Sequence, residues 1–204
     1  MVQLYESCNT GDDDGWAVYG VNWNAMTFTT TSGAHTIQQV KIKAMRTGSP
    51  GTVTVSIRAT SGGKPTGSDL TSGTIDGNTF TTNSGGDWYT ITVADYALAA
   101  STLYAIVVRA TAGNGSNYMR WRGDTGGGLY TTGNACDSGD SGVNWTTQTY
   151  DSMFEDWGIP PGVSKSLAAT MSLAIVRTAT LITPKGVEKL IYIPDLGVFG
   201  IELD

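Results

Sequence analysis

The chain has 204 residues, 27 of them glycine, with only 15% charged, a net charge of −6 and a sequence pI of about 4.6. The few Lys and Arg are scattered and cannot neutralise a row of phosphates, which excludes nucleic acid as a partner. Apolar residues at 40% exclude a disordered chain. A composition rich in Thr, Ser and Gly excludes a mainly helical one, and no run of about 18 apolar residues is present for a helical membrane span.

Residues 2–7 read as a short strand. The loop from Asn9 to Gly15 follows and holds three successive carboxylates, Asp12, Asp13 and Asp14. Carboxylates are the hard oxygen ligands that calcium takes, but the spacing is not that of an EF-hand, and a solvated loop is the simpler reading. No other cofactor is expected. Trp16 to Tyr19 and Trp23 to Thr30 read as further strand runs, with a turn at Ser32-Gly33.

The clearest pattern runs from Gln39 to Thr60. Val40 and Ile42 alternate with Lys41 and Lys43, and Val53, Val55, Ile57 and Ala59 alternate with Thr52, Thr54, Ser56 and Arg58. A period of two puts one set on a core face and the other on water. Pro50 presets its own φ, and Gly51 can take the positive φ that a type II turn needs next. The stretch therefore predicts an antiparallel hairpin.

Ser61 to Ser68 reads as a chain-breaking loop. Runs at Leu70 to Ile75 and Trp88 to Val93 follow. In Leu103 to Ala110 both parities are apolar, which predicts a central strand covered on both sides. Asn117 to Arg122, a Gly-rich loop from Gly123 to Gly142, Val143 to Thr147 and Tyr150 to Trp157 complete this part. About nine or ten short strands with frequent turns predict an antiparallel β-sandwich over residues 1–158.

Ile159-Pro-Pro-Gly162 is a stiff punctuator and a candidate linker. Beyond it, Leu167, Ala169, Met171, Leu173 and Ile175 alternate with smaller residues and predict a strand. Val187 to Ile193 and Val198 to Leu203 predict two more, set off by turns at Pro184-Lys-Gly186 and Pro194-Asp-Leu-Gly197. Residues 159–204 are thus expected to form a small β-meander. It is too short to bury a core alone, so it must pack on the sandwich or on another chain.

The run from Trp23 to Gly158 resembles a lectin-like jelly-roll β-sandwich module found in phage virion and environmental surface proteins. The likeness rests on HTIQQVKIKAMRTGSPGTVTVSIRATSGGKPTGSDLTSGTIDG (His35 to Gly77), DWYTITV (Asp87 to Val93), STLYAIVVRAT (Ser101 to Thr111), NYMRWRGD (Asn117 to Asp124) and DSMFEDWG (Asp151 to Gly158). It covers roughly two thirds of the chain and carries no ligand-site motif. It implies a jelly-roll fold, a relation to carbohydrate-binding domains, and occurrence in virion appendages or secreted proteins.

The catalytic inventory is thin. His35 is the only histidine, and no G-x-S-x-G is present. Glu155 and Asp156 are adjacent on a strand and point to opposite faces, so they cannot be a glycosidase pair together. No phosphate loop or dinucleotide fingerprint occurs. No enzyme is expected.

The six tryptophans are the better lead, because sugars stack on exposed indole faces, although packing accounts for most Trp in a sandwich. Trp16, Trp121 and Trp145 are the candidate carbohydrate-binding residues: Trp121 lies among Arg120, Arg122 and Asp124, and Trp16 and Trp145 sit beside the acidic loop and the Gly142 turn. Cys8 and Cys136 have no metal-ligand spacing, and a disulfide and two buried thiols are both open readings.

No basic start or apolar run marks a signal peptide in residues 1–14. Together with the resemblance, these readings give an expectation: a non-enzymatic structural protein of a phage virion, of the capsid decoration, cement or fibre kind. It would be made in the host cytoplasm and displayed on the virion surface, with residues 164–204 attaching it to copies of itself or to other virion proteins. The alternative is the carbohydrate-binding module of a secreted, extracellular or receptor-binding protein.

Overall fold

The computed structural model describes residues 1–126, 130–161, 180–183, 186–193 and 198–202. It is all-β and divides into two units, Met1–Pro161 and Gly162–Asp204. The first unit contains β1 (Gln3–Cys8), β2 (Asp14–Val18), β3 (Trp23–Thr29), β4 (His35–Thr47), β5 (Thr52–Ser61), β6 (Lys64–Asp76), β7 (Asp87–Leu98), β8 (Leu103–Arg109), β9 (Tyr118–Asp124), β10 (Ala135–Ser138), β11 (Thr146–Thr147), β12 (Asp151–Ser152) and β13 (Phe154–Ile159), with one 3-10 turn at Gly77–Thr79. Two antiparallel sheets form a sandwich-like body. One runs β1-β13-β4-β9-β12, with β2 on β9 and β7 on β4; the other runs β11-β10-β3-β8-β5-β6.

The core lies between these sheets and follows the alternation in the sequence. Val40, Ile42 and Ala44 of β4 meet Val53, Val55 and Ile57 of β5 and Ile106 and Val108 of β8, all without exposure. Each such large aliphatic side chain contributes about 1.5–3 kcal/mol on burial. Ala105 and Val107, on the reverse face of β8, join Ala25, Cys136 and Trp145 in a second cluster. The strand is therefore central and covered on both sides, as its unbroken apolar run requires.

The predicted hairpin from Gln39 to Thr60 does not form. Both strands exist, but β4 belongs to the first sheet and β5 to the second, so Gly48–Gly51 carries the chain across the sandwich. A period of two fixes which face of a strand is buried and leaves its neighbour open. The crossing is held by side chains far away in sequence. The Ser49 amide donates to Asn117 Oδ1 at 2.8 Å, the Gly51 amide to Asn78 Oδ1 at 3.1 Å, and the Arg46 guanidinium to the Phe80 carbonyl at 2.9 Å. Gly51 does take positive φ, at 73°.

The true hairpin is β5–β6, closed between Ser61 and Lys64. Gly62 and Gly63 have φ of 57° and 77°, the two positive values that a two-residue type I′ turn needs. By sequence the whole stretch from Ser61 to Ser68 reads as a chain-breaking loop, yet β6 already starts at Lys64 and runs through Pro65 and Gly67. Pro65 is tolerated because β6 is an edge strand, where a missing N–H breaks no ladder. β6 also closes one side of the sandwich against β7. A Cβ added to Gly73 would stand 2.0 Å from the Thr92 carbonyl oxygen, and the Thr71 hydroxyl donates to the Ala94 carbonyl at 2.5 Å.

In the second unit, β14 (Thr180–Thr183), β15 (Gly186–Ile193) and β16 (Val198–Glu202) form a three-stranded antiparallel sheet. The strand expected at Leu167 to Ile175 lies outside the described residues, as do most of the residues of the two expected turns.

Candidate functional site

The three tryptophans singled out from sequence do not come together. Trp121 has no exposed surface, since β9 presents Met119 and Trp121 to the core and Arg120 and Arg122 outward. Its Nε1 donates to the Met153 carbonyl at 2.8 Å. Trp145 is 8% exposed and caps the second cluster. Trp16 is half-buried and stacks on Tyr150, with ring centroids 3.3 Å apart and planes within 8°.

The indoles on the surface are others. Trp88 is 37% exposed. Trp157 carries the Lys41 ammonium 4.3 Å above its ring and donates from Nε1 to Glu155 at 2.7 Å. Trp23 lies beneath Arg58 and Arg109, which share the Asp69 carboxylate. Trp88 is registered opposite Lys43 and Trp157 opposite Gln39, so both stand on the outer face of the first sheet. Parity was the available signal: in DWYTITV, Ile91 and Val93 point inward, which puts Trp88 outward.

The acidic loop uses its carboxylates within the protein. Asp12 accepts from Lys43 Nζ at 2.6 Å and from Arg122 Nε at 2.9 Å. Asp13 accepts from the Thr125 amide and hydroxyl at 2.8 and 2.7 Å, and these hydrogen bonds hold its carboxyl below the usual range. Asp14 accepts from the Gly15 amide and, at 3.4 Å, from Arg120. The loop is thereby tied to β4, β9 and the segment after β9. A calcium ion there would have to displace Lys43 and Arg122 from Asp12. Among the described residues, no cluster of three or more His, Cys, Asp or Glu is placed to hold a metal ion.

His35 and Asp156 are both fully buried and meet at 2.7 Å from Nε2 to Oδ2. His35 Nδ1 faces the Gly33 carbonyl at 3.2 Å. A carbonyl only accepts, so Nδ1 carries a hydrogen, and the Nε2–Oδ2 contact must hold a further proton. Tyr5 stacks on the imidazole with centroids 3.8 Å apart. Nearby, Glu6 clasps the turn before β4 by accepting from the Thr31 hydroxyl and the Ser32 amide at 2.8 Å. The chain's single histidine is thus buried, stacked against Tyr5 of β1 and paired with Asp156. Cys8 and Cys136 are both free and buried, and they lie in different clusters on opposite faces of the second sheet, so the disulfide reading fails.

A concave site lies where the chain leaves the second sheet after β11 and joins the first at β12. Tyr130, Thr131, Gly133, Asn134, Gln148, Thr149, Tyr150 and Asp151 line a groove of about 300 Å³. Its floor is rigid. The Tyr130 ring packs edge-on against Phe154, Tyr150 stacks on Trp16, and the Tyr150 hydroxyl donates to Asp137. Burial pushes both the Tyr150 phenol and the Asp137 carboxyl up, and Tyr150 keeps the proton it donates. Asp151 accepts from the Tyr130 amide at 3.1 Å, which links the two segments across the groove. Gly133 allows the backbone to pass against β3, since a Cβ there would fall 1.8 Å from the Thr27 carbonyl oxygen. Sequence reading missed this site because its residues come from two stretches, around 130–134 and 148–151, neither of which carries a motif.

No family model, curated protein or solved structure matches the chain.

Proposed function

We propose that this chain is a non-enzymatic structural protein of a phage virion, a decoration, cement or fibre-type surface protein. In this reading the first unit is a jelly-roll sandwich displayed on the particle surface, and residues 164–204 attach it to copies of itself or to other virion proteins. The observation that carries the reading is the division into two units of very different kind. The first has a complete core. The second contains a three-stranded sheet that pairs Ile182 with Val187, Leu190 with Ile201, Tyr192 with Phe199 and Ile193 with Val198. A three-stranded sheet of this size is too small to enclose a core by itself. Covering both faces calls for other elements, and copies of the chain in a closed ring would supply them.

The test compares the whole chain with a version ending at Pro161, by light scattering and circular dichroism. The reading expects an oligomeric whole chain and a folded, monomeric truncation. A monomeric whole chain whose truncation unfolds would refute it.

A second reading, a carbohydrate-binding module, is favoured by the polar groove with tyrosine rings in its floor and by the outward indoles of Trp88 and Trp157. It does not compete with display on a particle. Binding of the whole chain to immobilised glycans, weakened by substitutions in the groove or at Trp88, tests it; no retained glycan would count against it.

A further inference from the structure

We infer that the groove between residues 130–134 and 148–151 is a binding site for one or two units of a neutral sugar; this rests on the carbohydrate-binding reading and names its site. Three observations carry it. First, the groove offers several polar groups at the right scale. Asn134 and Gln148 bring side-chain amides, and Thr131 and Thr149 bring hydroxyls; among the described residues none of these four side chains has a protein partner. Amides and hydroxyls both donate and accept, and so do sugar hydroxyls. A volume of about 300 Å³ lies at the small end of ligand sites, which suits a mono- or disaccharide rather than a polymer.

Second, the charge selects. No Lys or Arg lines the groove, Asp151 is its one carboxylate, and Asp137 stands behind Tyr150. An anionic ligand would meet negative charge with no compensating cation. A metal ion would find one carboxylate, itself engaged with the Tyr130 amide. A neutral polyol meets neither obstacle.

Third, the floor is preorganised. Tyr130 is fixed by Phe154 and by the bond from its amide to Asp151, and Tyr150 by Trp16 and Asp137. Little ordering remains to be done when a ligand arrives, which favours binding by a shallow site. The edges of two fixed rings also give the apolar C–H faces of a sugar a surface to rest on. Trp16 then acts as a positioning residue, setting Tyr150 from behind.

The experiment uses the whole chain with a panel of neutral trisaccharides of glucose, galactose, mannose and N-acetylglucosamine. Saturation-transfer NMR detects binding, and hydrogen exchange read by mass spectrometry locates it. The variant N134A/Q148A removes both unpartnered amides, one from an exposed and one from a half-buried position, and should leave the fold intact, which its circular dichroism checks. The expected result is transfer to at least one trisaccharide, added protection of residues 130–135 and 147–151, and roughly ten-fold weaker binding by the variant, the scale of one or two lost hydrogen bonds. Transfer that survives in N134A/Q148A, with protection appearing instead around Trp88 and Trp157, would overturn the groove assignment while leaving the carbohydrate reading in place. No transfer to any member of the panel would overturn both.

Discussion

Replacing His35 by alanine tests the buried pair most directly. Asp156 has no exposed surface, and its Oδ1 has no hydrogen-bond partner, so His35 provides its visible compensation. Removing one member of such a pair leaves an uncompensated charge inside the sandwich and costs about 3–5 kcal/mol. D156N should cost less, because its amide can donate to Nε2 while Nδ1 keeps its bond to the Gly33 carbonyl. The pair also makes stability depend on pH. Burial works against the His35 charge, but the Asp156 carboxylate, the Gly33 carbonyl and Glu6 outweigh it and raise the imidazole above its usual value. Burial pushes Asp156 up as well, against the pull of His35. A raised pKa means that the folded state keeps a proton which the unfolded chain releases. The His35 contribution is therefore full below about pH 6.5, the ordinary histidine value, and falls above it by at most about 1.4 kcal/mol per pH unit until the folded pair titrates, while the raised Asp156 carboxyl adds a decline of the same sign that starts above about pH 3.9, the ordinary aspartate value. With a single histidine in the chain, no other imidazole contributes to that window. Urea unfolding followed by tryptophan fluorescence between pH 5.5 and 8 measures it. D156N should flatten the profile. A cost for H35A below about 1 kcal/mol, or a profile that D156N leaves unchanged, would refute the reasoning.

Truncating Trp121 to alanine should cost about 3–5 kcal/mol by thermal or urea unfolding and also strand the Met153 carbonyl, whereas W88A on the outer face should stay within about 0.5 kcal/mol. Gly73→Ala forces a methyl against the Thr92 carbonyl and should destabilise by about 1–3 kcal/mol or more, while Gly62→Ala meets no atom and loses only the positive φ that glycine supplies; unfolding midpoints compare the two. Burial pushes the Cys8 thiol up to about 12 and raises Cys136 too, so iodoacetamide at pH 8 should label neither until denaturant is added, as read by intact mass. Millimolar calcium should leave the melting temperature unchanged, because Lys43 and Arg122 already neutralise Asp12; a rise of several degrees would overturn that account.

The sequence by itself determined the faces. Alternation placed Val40, Ile42, Val53, Val55 and Ile57 in the core, the double apolar run marked β8 as central, and adjacency put Glu155 and Asp156 on opposite sides. These are local consequences of a side-chain period of two. Tertiary structure decided who stands beside whom. β4 and β5 pack across the core rather than pairing, β6 runs on through Pro65 because it is an edge strand, and His35 finds Asp156 across 121 positions. The candidate site divides in the same way: aromatic richness was legible, but the parity of β9 buried Trp121, the long-range capping of the second cluster buried Trp145, and the groove arose where two distant segments cross between sheets. Alternation fixes which way a side chain points; what it meets there depends on contacts between residues remote in the chain, which no local pattern encodes.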